Sequence, residues 1–333
     1  MKKLIAIMLV LVITVMCVSC QNTPTNVSSD VSEVVSEEKA TINVTVLKGP
    51  TGLGALRLME KNDSKTASNN YNFTLASAAD EVSAKIINKE ADIVAAPTNL
   101  AAVLYKRTEG QVVMLAANTL GNLYIVTKNA EISSIADLKG KTIYSSGQGA
   151  SPEYVLNFLL KENGIDPETD VEIIYKSEHA EVAPVFASEE SVIALLPEPF
   201  VTNMLLKNSD LKVSVNVTEE WKKVSDSELV MGCLIARKEF VDANPEAVAK
   251  FLKEYEESAN YAVTNVAETA ALSEKYGIMA KNVAEKALPG CNIVYIDGEK
   301  MQNYVSAYFE VLFNANPKSV GGQLPDEKLY YKK

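Results

Sequence analysis

Residues 132–166 read ISSIADLKGKTIYSSGQGASPEYVLNFLLKENGID and contain one strand–turn–helix unit. Lys141–Ser145 carries β-branched and aromatic side chains suited to a strand. The run ends in Gly147-Gln148-Gly149, where the glycines free the backbone for a sharp turn. Ser151 follows, and Pro152 opens a helix over Pro152–Asn163, since proline is preorganised for a first helical turn. A strand feeding a helix in this way is the building unit of a parallel sheet.

The same alternation extends to both sides. Upstream, strands are expected at Thr41–Lys48, Tyr71–Ser77, Ala91–Ala96 and Gln111–Asn118, with helices at Leu53–Lys61, Asp80–Lys89 and Asn99–Arg107, the last capped by Thr98. Downstream, strands are expected at Leu123–Lys128, Val171–Tyr175, Ser191–Leu196, Leu211–Val217 and Leu229–Ala236, with helices near His179–Ala187 and Phe200–Lys207. After Arg237 the pattern is nearly all helical: Pro245–Val263, Val266–Tyr276, Ala280–Leu288 and Lys300–Asn314. Two similar α/β series followed by a helical tail imply two lobes. Residues 41–120 with 237–333 form the first and residues 121–236 the second, so the chain crosses between them twice. The crossings are expected near Asn118–Leu123 and Met231–Lys238, with Gly121 and Gly232 absorbing backbone change.

The chain has 333 residues, 47% hydrophobic and 23% charged, which excludes disorder for most of its length. Its formal net charge of −11 becomes −13 without Lys2 and Lys3, and an acidic surface repels phosphate backbones, so nucleic acid is not an expected partner. One His and four Cys leave little for zinc or haem, and no metal or cofactor is expected.

Met1-Lys2-Lys3 precedes an apolar run from Leu4 to Val18, short for a membrane span but suited to a signal-peptide core. It closes on Ser19-Cys20 and resembles a bacterial lipoprotein signal, with Cys17 where leucine is usual. The resemblance implies removal of residues 1–19, lipidation of Cys20 and anchoring at the outer face of the cytoplasmic membrane. Residues 20–40 are polar and acidic and are expected to be a flexible tether of about 25 Å reach.

Several segments together resemble the substrate-binding lipoproteins of ABC importers, in the branch of nitrate, sulfonate/taurine and thiamine-pyrimidine binders. They are ADIVAAPTNLAAVL (91–104), the 132–166 stretch with its DLKGK and glycine-rich turn, VIALLPEPFVT (192–202) and RKEFVDANPEAVAKFLKEYEESANYA (237–262). The resemblance implies the type 2 periplasmic-binding-protein fold, an α/β clamp of two lobes with two hinge crossings and a helical return to the first lobe. It also implies a monomer that takes a small solute to a permease and its ATPase, with no chemistry on the solute. An enzyme of the pyrimidine-synthase kind on this fold would need an active-site histidine and a cysteine-rich stretch, which this chain lacks. A surface lipoprotein that senses its ligand without importing it has the same sequence features.

Ligands of open α/β sheets lie beyond the carboxyl ends of the strands, which selects the candidates. Thr51 and Gly52, in the turn GPTGLG (49–54), offer helix N-terminal N–H groups, but the Gly-Lys-Ser/Thr of a nucleotide loop is missing. Pro97 and Thr98 end a strand; Gly147, Gln148, Gly149 and Ser151 are their counterpart in the second lobe. Glu198, between two prolines, either receives a ligand N–H or closes its own turn. Asn118, Asn122 and Tyr124 lie at the first crossing, within reach of both lobes. The helix N-termini suit an acidic head such as a sulfonate, whereas Glu198 and nearby aromatic residues suit a flat heterocycle such as a thiamine-pyrimidine precursor, the reading we favour at this stage.

The single histidine, His179, has no carboxylate or cysteine at catalytic spacing and is expected at the surface. Trp221, in EEWKK, is expected to pack its ring over the second lobe. Cys233 and Cys291 remain after lipidation. Paired, they would close a loop of about sixty residues, worth up to about 4 kcal/mol; we prefer buried thiols.

Overall fold

The computed structural model describes residues 39–332. The signal segment 1–19, Cys20 and all of the tether but its last two residues lie outside the described residues. Among the described residues eleven strands form two sheets: β1 (Thr41–Leu47), β2 (Asn70–Ala76), β3 (Ile93–Pro97), β4 (Val112–Leu120), β5 (Leu123–Lys128), β6 (Thr142–Ser146), β7 (Glu172–Lys176), β8 (Val192–Pro197), β9 (Leu211–Asn216), β10 (Val230–Arg237) and β11 (Ile293–Ile296). The first sheet has the order β11-β4-β10-β3-β1-β2, and the second β7-β6-β8-β5-β9.

The two sheets follow one plan. β1 is flanked by parallel β2 and β3, as β6 is flanked by parallel β7 and β8. Each sheet then accepts an antiparallel strand that has just arrived from the other lobe: β10 between β3 and β4, and β5 between β8 and β9. β3 and β8, each inside its sheet, are apolar from end to end, the pattern of strands covered on both faces; every residue of Val192–Pro197 is buried. The edge strand β11, paired antiparallel with β4, interrupts a region expected to be helical. Its four residues follow a one-turn helix and carry no alternation long enough to read.

The helical tail returns to the first lobe as expected. In the helix Pro245–Thr264, Ser258 donates to Gly54 O at 2.7 Å and accepts from the Leu58 amide at 3.1 Å, tying it to the helix Pro50–Asp63. The chain end finishes beside β4, where the Tyr331 amide donates to Met114 O. The helix Gly298–Ala315 also reaches the second lobe, since Tyr308 packs on Trp221. None of the helices among the described residues is long and apolar enough to cross a membrane.

Residues 121–122 join β4 of the first sheet to β5 of the second. The second crossing lies earlier than Met231–Lys238: residues 225–229 make it, between the helix Val217–Val224 and β10. Residues 230–237 therefore belong to the first sheet, and the expected lobe boundary moves upstream from 236. Gly121 and Gly232 serve close packing rather than unusual backbone angles, for neither has a positive φ. A Cβ at Gly232 would sit 2.6 Å from Asn118 Oδ1, and one at Gly121 would collide with Thr218 Oγ1.

Candidate functional site

The carboxyl ends of strands from both sheets converge on a cavity of about 60 Å³. Leu47, Pro97 and Pro197, the last residues of β1, β3 and β8, line it together with Pro50, Thr51, Pro152 and Phe200 from the first turns of three helices. The first N–H groups of a helix have no partner within it and carry its positive dipole end, so this convergence favours negative charge.

The polar side chains of the lining act in the same sense. Lys48 is its one cation, with no ion pair or hydrogen bond from its side chain among the described residues, and no carboxylate lines the cavity. Asn122 is buried, and its side-chain amide likewise has no partner among the described residues. His179 shares a hydrogen bond between Nδ1 and Ser146 Oγ and stacks on Phe200 with ring centroids 4.9 Å apart. Burial pushes its imidazole down to about 4, so it is neutral near pH 7 and Nε2 is left for another contact. The apolar walls are Leu47, Leu123, Met231 and the Phe200 ring.

Of the residues selected from the sequence, Thr51, Pro97 and Asn122 line the cavity. The Thr51 hydroxyl is spent on Leu47 O at 2.9 Å, which leaves its amide. Gly52 packs in the same turn, where a Cβ would meet Leu47 O and Ile278 Cδ1 at 3.0 Å. Thr98 does not cap its helix: Pro97 holds that position, and the Thr98 hydroxyl is buried without an oxygen or nitrogen partner. Asn118 turns into the core, donating to Tyr255 Oη at 3.0 Å and accepting from Thr119 at 3.2 Å.

Gly149 and Ser151 form a contact between the lobes, whereas Gly147 packs against Pro152 of its own lobe. Asn99, at the start of the helix Thr98–Arg107, donates to Gly149 O at 3.2 Å and accepts from Ser151 Oγ at 3.2 Å. The Gly149 amide is occupied by the Glu153 carboxylate, and Gln148 is exposed. Glu198 closes its own turn, accepting from the Thr202 amide at 3.1 Å and the Thr202 hydroxyl at 2.8 Å. It stands with Tyr124 against Gly290 of the first lobe. Burial raises the Glu198 carboxyl, and the Thr202 bonds oppose it. Burial likewise raises the Tyr124 hydroxyl.

His179, expected at the surface, lies in the cavity wall instead. It lies three residues past the end of β7, so the rule that selected the other strand ends applied to it too, but its lack of a catalytic partner hid it. Lys48 and Phe200 were missed although each adjoins a selected motif. Cys233 and Cys291 are buried free thiols. No group of three or more His, Cys, Asp or Glu able to hold a metal ion occurs among the described residues.

A family model described as "ABC transporter, phosphonate, periplasmic substrate-binding protein" matches residues 66–286. Among curated proteins, the chain is 25% identical over 135 residues to YtlA of Bacillus subtilis (strain 168) and 27% identical over 176 residues to BAB2_1146 of Brucella abortus (strain 2308), both bearing the name binding protein. The matches cover 40% and 52% of this chain and 39% and 52% of those relatives, so the chain spans about half or less of their lengths. Among solved structures, an ABC transporter protein from Parabacteroides distasonis aligns with a TM-score of 0.73 at 21% identity, over 89% of this chain and all of that one. The alkanesulfonate-binding protein SsuA of Xanthomonas axonopodis pv. citri, bound to MOPS, aligns with a TM-score of 0.69 at 14% identity, over 87% of this chain and 96% of that one. These structures share the two-lobe type 2 fold expected from the sequence. With a family model covering most of its folded part, the chain belongs to the phosphonate-type periplasmic substrate-binding proteins of ABC transporters, a family of binders and not of enzymes.

Proposed function

We propose that the protein captures a small organic oxyanion, a phosphonate or sulfonate, outside the cytoplasmic membrane and presents it to an ABC permease driven by its ATPase. The observation that carries this reading is the composition of the cavity wall: one lysine, converging helix N-termini and no carboxylate. Leu47, Leu123, Met231 and Phe200 supply surface for a short apolar substituent. The heterocycle favoured from the sequence loses its main support, because the Glu198 carboxylate is engaged by Thr202 and does not line the cavity.

In this reading the lobes open at residues 121–122 and 225–229 to admit solute, and the solute favours closure because it touches both lobes only when they are closed. Lipidation of Cys20 holds the body at the membrane through the tether. Calorimetric titration of the purified protein with methylphosphonate, methanesulfonate and an aminopyrimidine tests the solute class. We expect binding of at least one oxyanion, lost in Lys48→Ala; binding of the pyrimidine alone would refute the reading.

A further inference from the structure

We propose that Asn99 is a positioning residue that clasps the two lobes together without solute, setting the fraction of molecules already closed and hence the affinity for every solute alike. The inference rests on the reading of the cavity as a solute site closed by lobe motion.

Asn99 is fully buried, and two of its three side-chain hydrogen bonds cross the seam. Its Nδ2 donates to Gly149 O of the second lobe at 3.2 Å and to Ser319 O of the C-terminal segment at 3.1 Å. Its Oδ1 accepts from Ser151 Oγ of the second lobe at 3.2 Å. None of these partners is a ligand-facing group: Asn99, Gly149, Ser151 and Ser319 are all absent from the cavity lining. Their neighbours Pro97 and Pro152 do line it, on opposite lobes. Making the clasp therefore brings the two walls together.

The turn that receives Asn99 is prepared for it. Gly147 and Gly149 hold φ of +78° and +75°, and the Glu153 carboxylate accepts from the Gly149 amide, which pins the turn and leaves that amide unavailable to a bound anion. The seam is nonetheless balanced rather than locked. The Ser319 hydroxyl, on the residue whose carbonyl accepts from Asn99, is buried without a hydrogen-bond partner, a cost carried beside the seam. A binder whose competent state is only partly populated loses apparent affinity by that fraction, whatever the solute.

Small-angle scattering of the unliganded wild type, Asn99→Ala and Ser151→Ala, joined to titration of each with methylphosphonate and methanesulfonate, tests this. Thermal melting confirms that each variant is folded; Ser151→Ala, which removes a single bond, carries the test if Asn99→Ala does not fold. We expect both unliganded variants to be more expanded than wild type, Asn99→Ala more so. For any probe that wild type binds, we expect affinity to fall about 3- to 50-fold in Asn99→Ala, by the same factor for each. Superimposable unliganded profiles overturn the proposal, and so does a loss confined to one probe, which would make Asn99 a solute contact. If neither probe binds wild type, the solute reading fails while the scattering still decides the clasp.

Discussion

The rings of Trp221 and Tyr308 lie 5.7 Å apart at an interplanar angle of 53°. Trp221 sits on the helix that leads into the second crossing and donates from Nε1 to Ser227 O at 2.8 Å. Tyr308 belongs to the C-terminal helix, so this pair binds the crossing to the tail. Both side chains are fully buried, and Phe158 also packs on the indole with ring centroids 4.9 Å apart. Truncation of a buried aromatic ring costs about 3–5 kcal/mol. Tyr308→Ala should lower unfolding free energy by about that amount in urea titration and shift the emission of the single tryptophan to the red. Unchanged emission would show that the ring pair does not shield the indole.

His179 should make stability depend on pH on the acid side. Its imidazole is held down to about 4 by burial, whereas in the unfolded chain it titrates near its ordinary 6.5. Between those values the unfolded chain binds the extra proton, so this contribution is complete above about pH 6.5, falls as pH drops to about 4, and is level below. Because the ring borders an open cleft, about 1–3 kcal/mol is expected rather than the full shift. His179→Gln, melted at pH 4.5 and pH 7.5, should show a smaller difference between the two than wild type does.

Glu198 titrates with the opposite sign. Its carboxyl is raised by burial, so the folded state holds its proton to a higher pH than the unfolded chain, and stability falls as pH rises through that window. Glu198→Gln keeps an acceptor for Thr202 and carries no charge. It should melt at or above wild type at pH 8 and lose that advantage at pH 4. A variant less stable at both pH values would mean that the paired hydrogen bonds outweigh the buried charge.

Cys233 and Cys291 should be inert in the native protein. Both are buried, and burial raises both thiols well above their ordinary range, which starves them of thiolate. In a chain beginning after Cys20, a thiol-specific chromogenic reagent should find two reactive groups in denaturant and almost none before unfolding. Equal reaction in both states would place at least one thiol at the surface.

The sheet strands were legible because β-branched runs end in Gly or Pro at the turns: β5 spans Leu123–Lys128 as expected, and β6 and β8 are displaced by a residue. The helix Val217–Val224 was not, because EEWKK offers one large apolar residue to a face that closes only against Phe158 and Tyr308. β11 was missed for a related reason: its strand character comes from pairing with β4, far upstream. At the site, strand ends and helix starts led to Thr51, Pro97 and Asn122. Whether the 147–151 turn faces a solute or the other lobe was decided by Asn99, some fifty positions away, and local pattern carries no such information.

The interleaving of the sheets imposes an order of assembly. Among the described residues β4 pairs with β10 and β11 and bridges Tyr330, so a strand completed by residue 120 waits for chain from residue 230 onward before any neighbouring strand can bond to it. The second sheet needs nothing past residue 216. A chain emerging from its N-terminus can therefore finish the later half first, while the earlier half, begun sooner, holds an apolar edge open for pairing with other chains until β10 arrives.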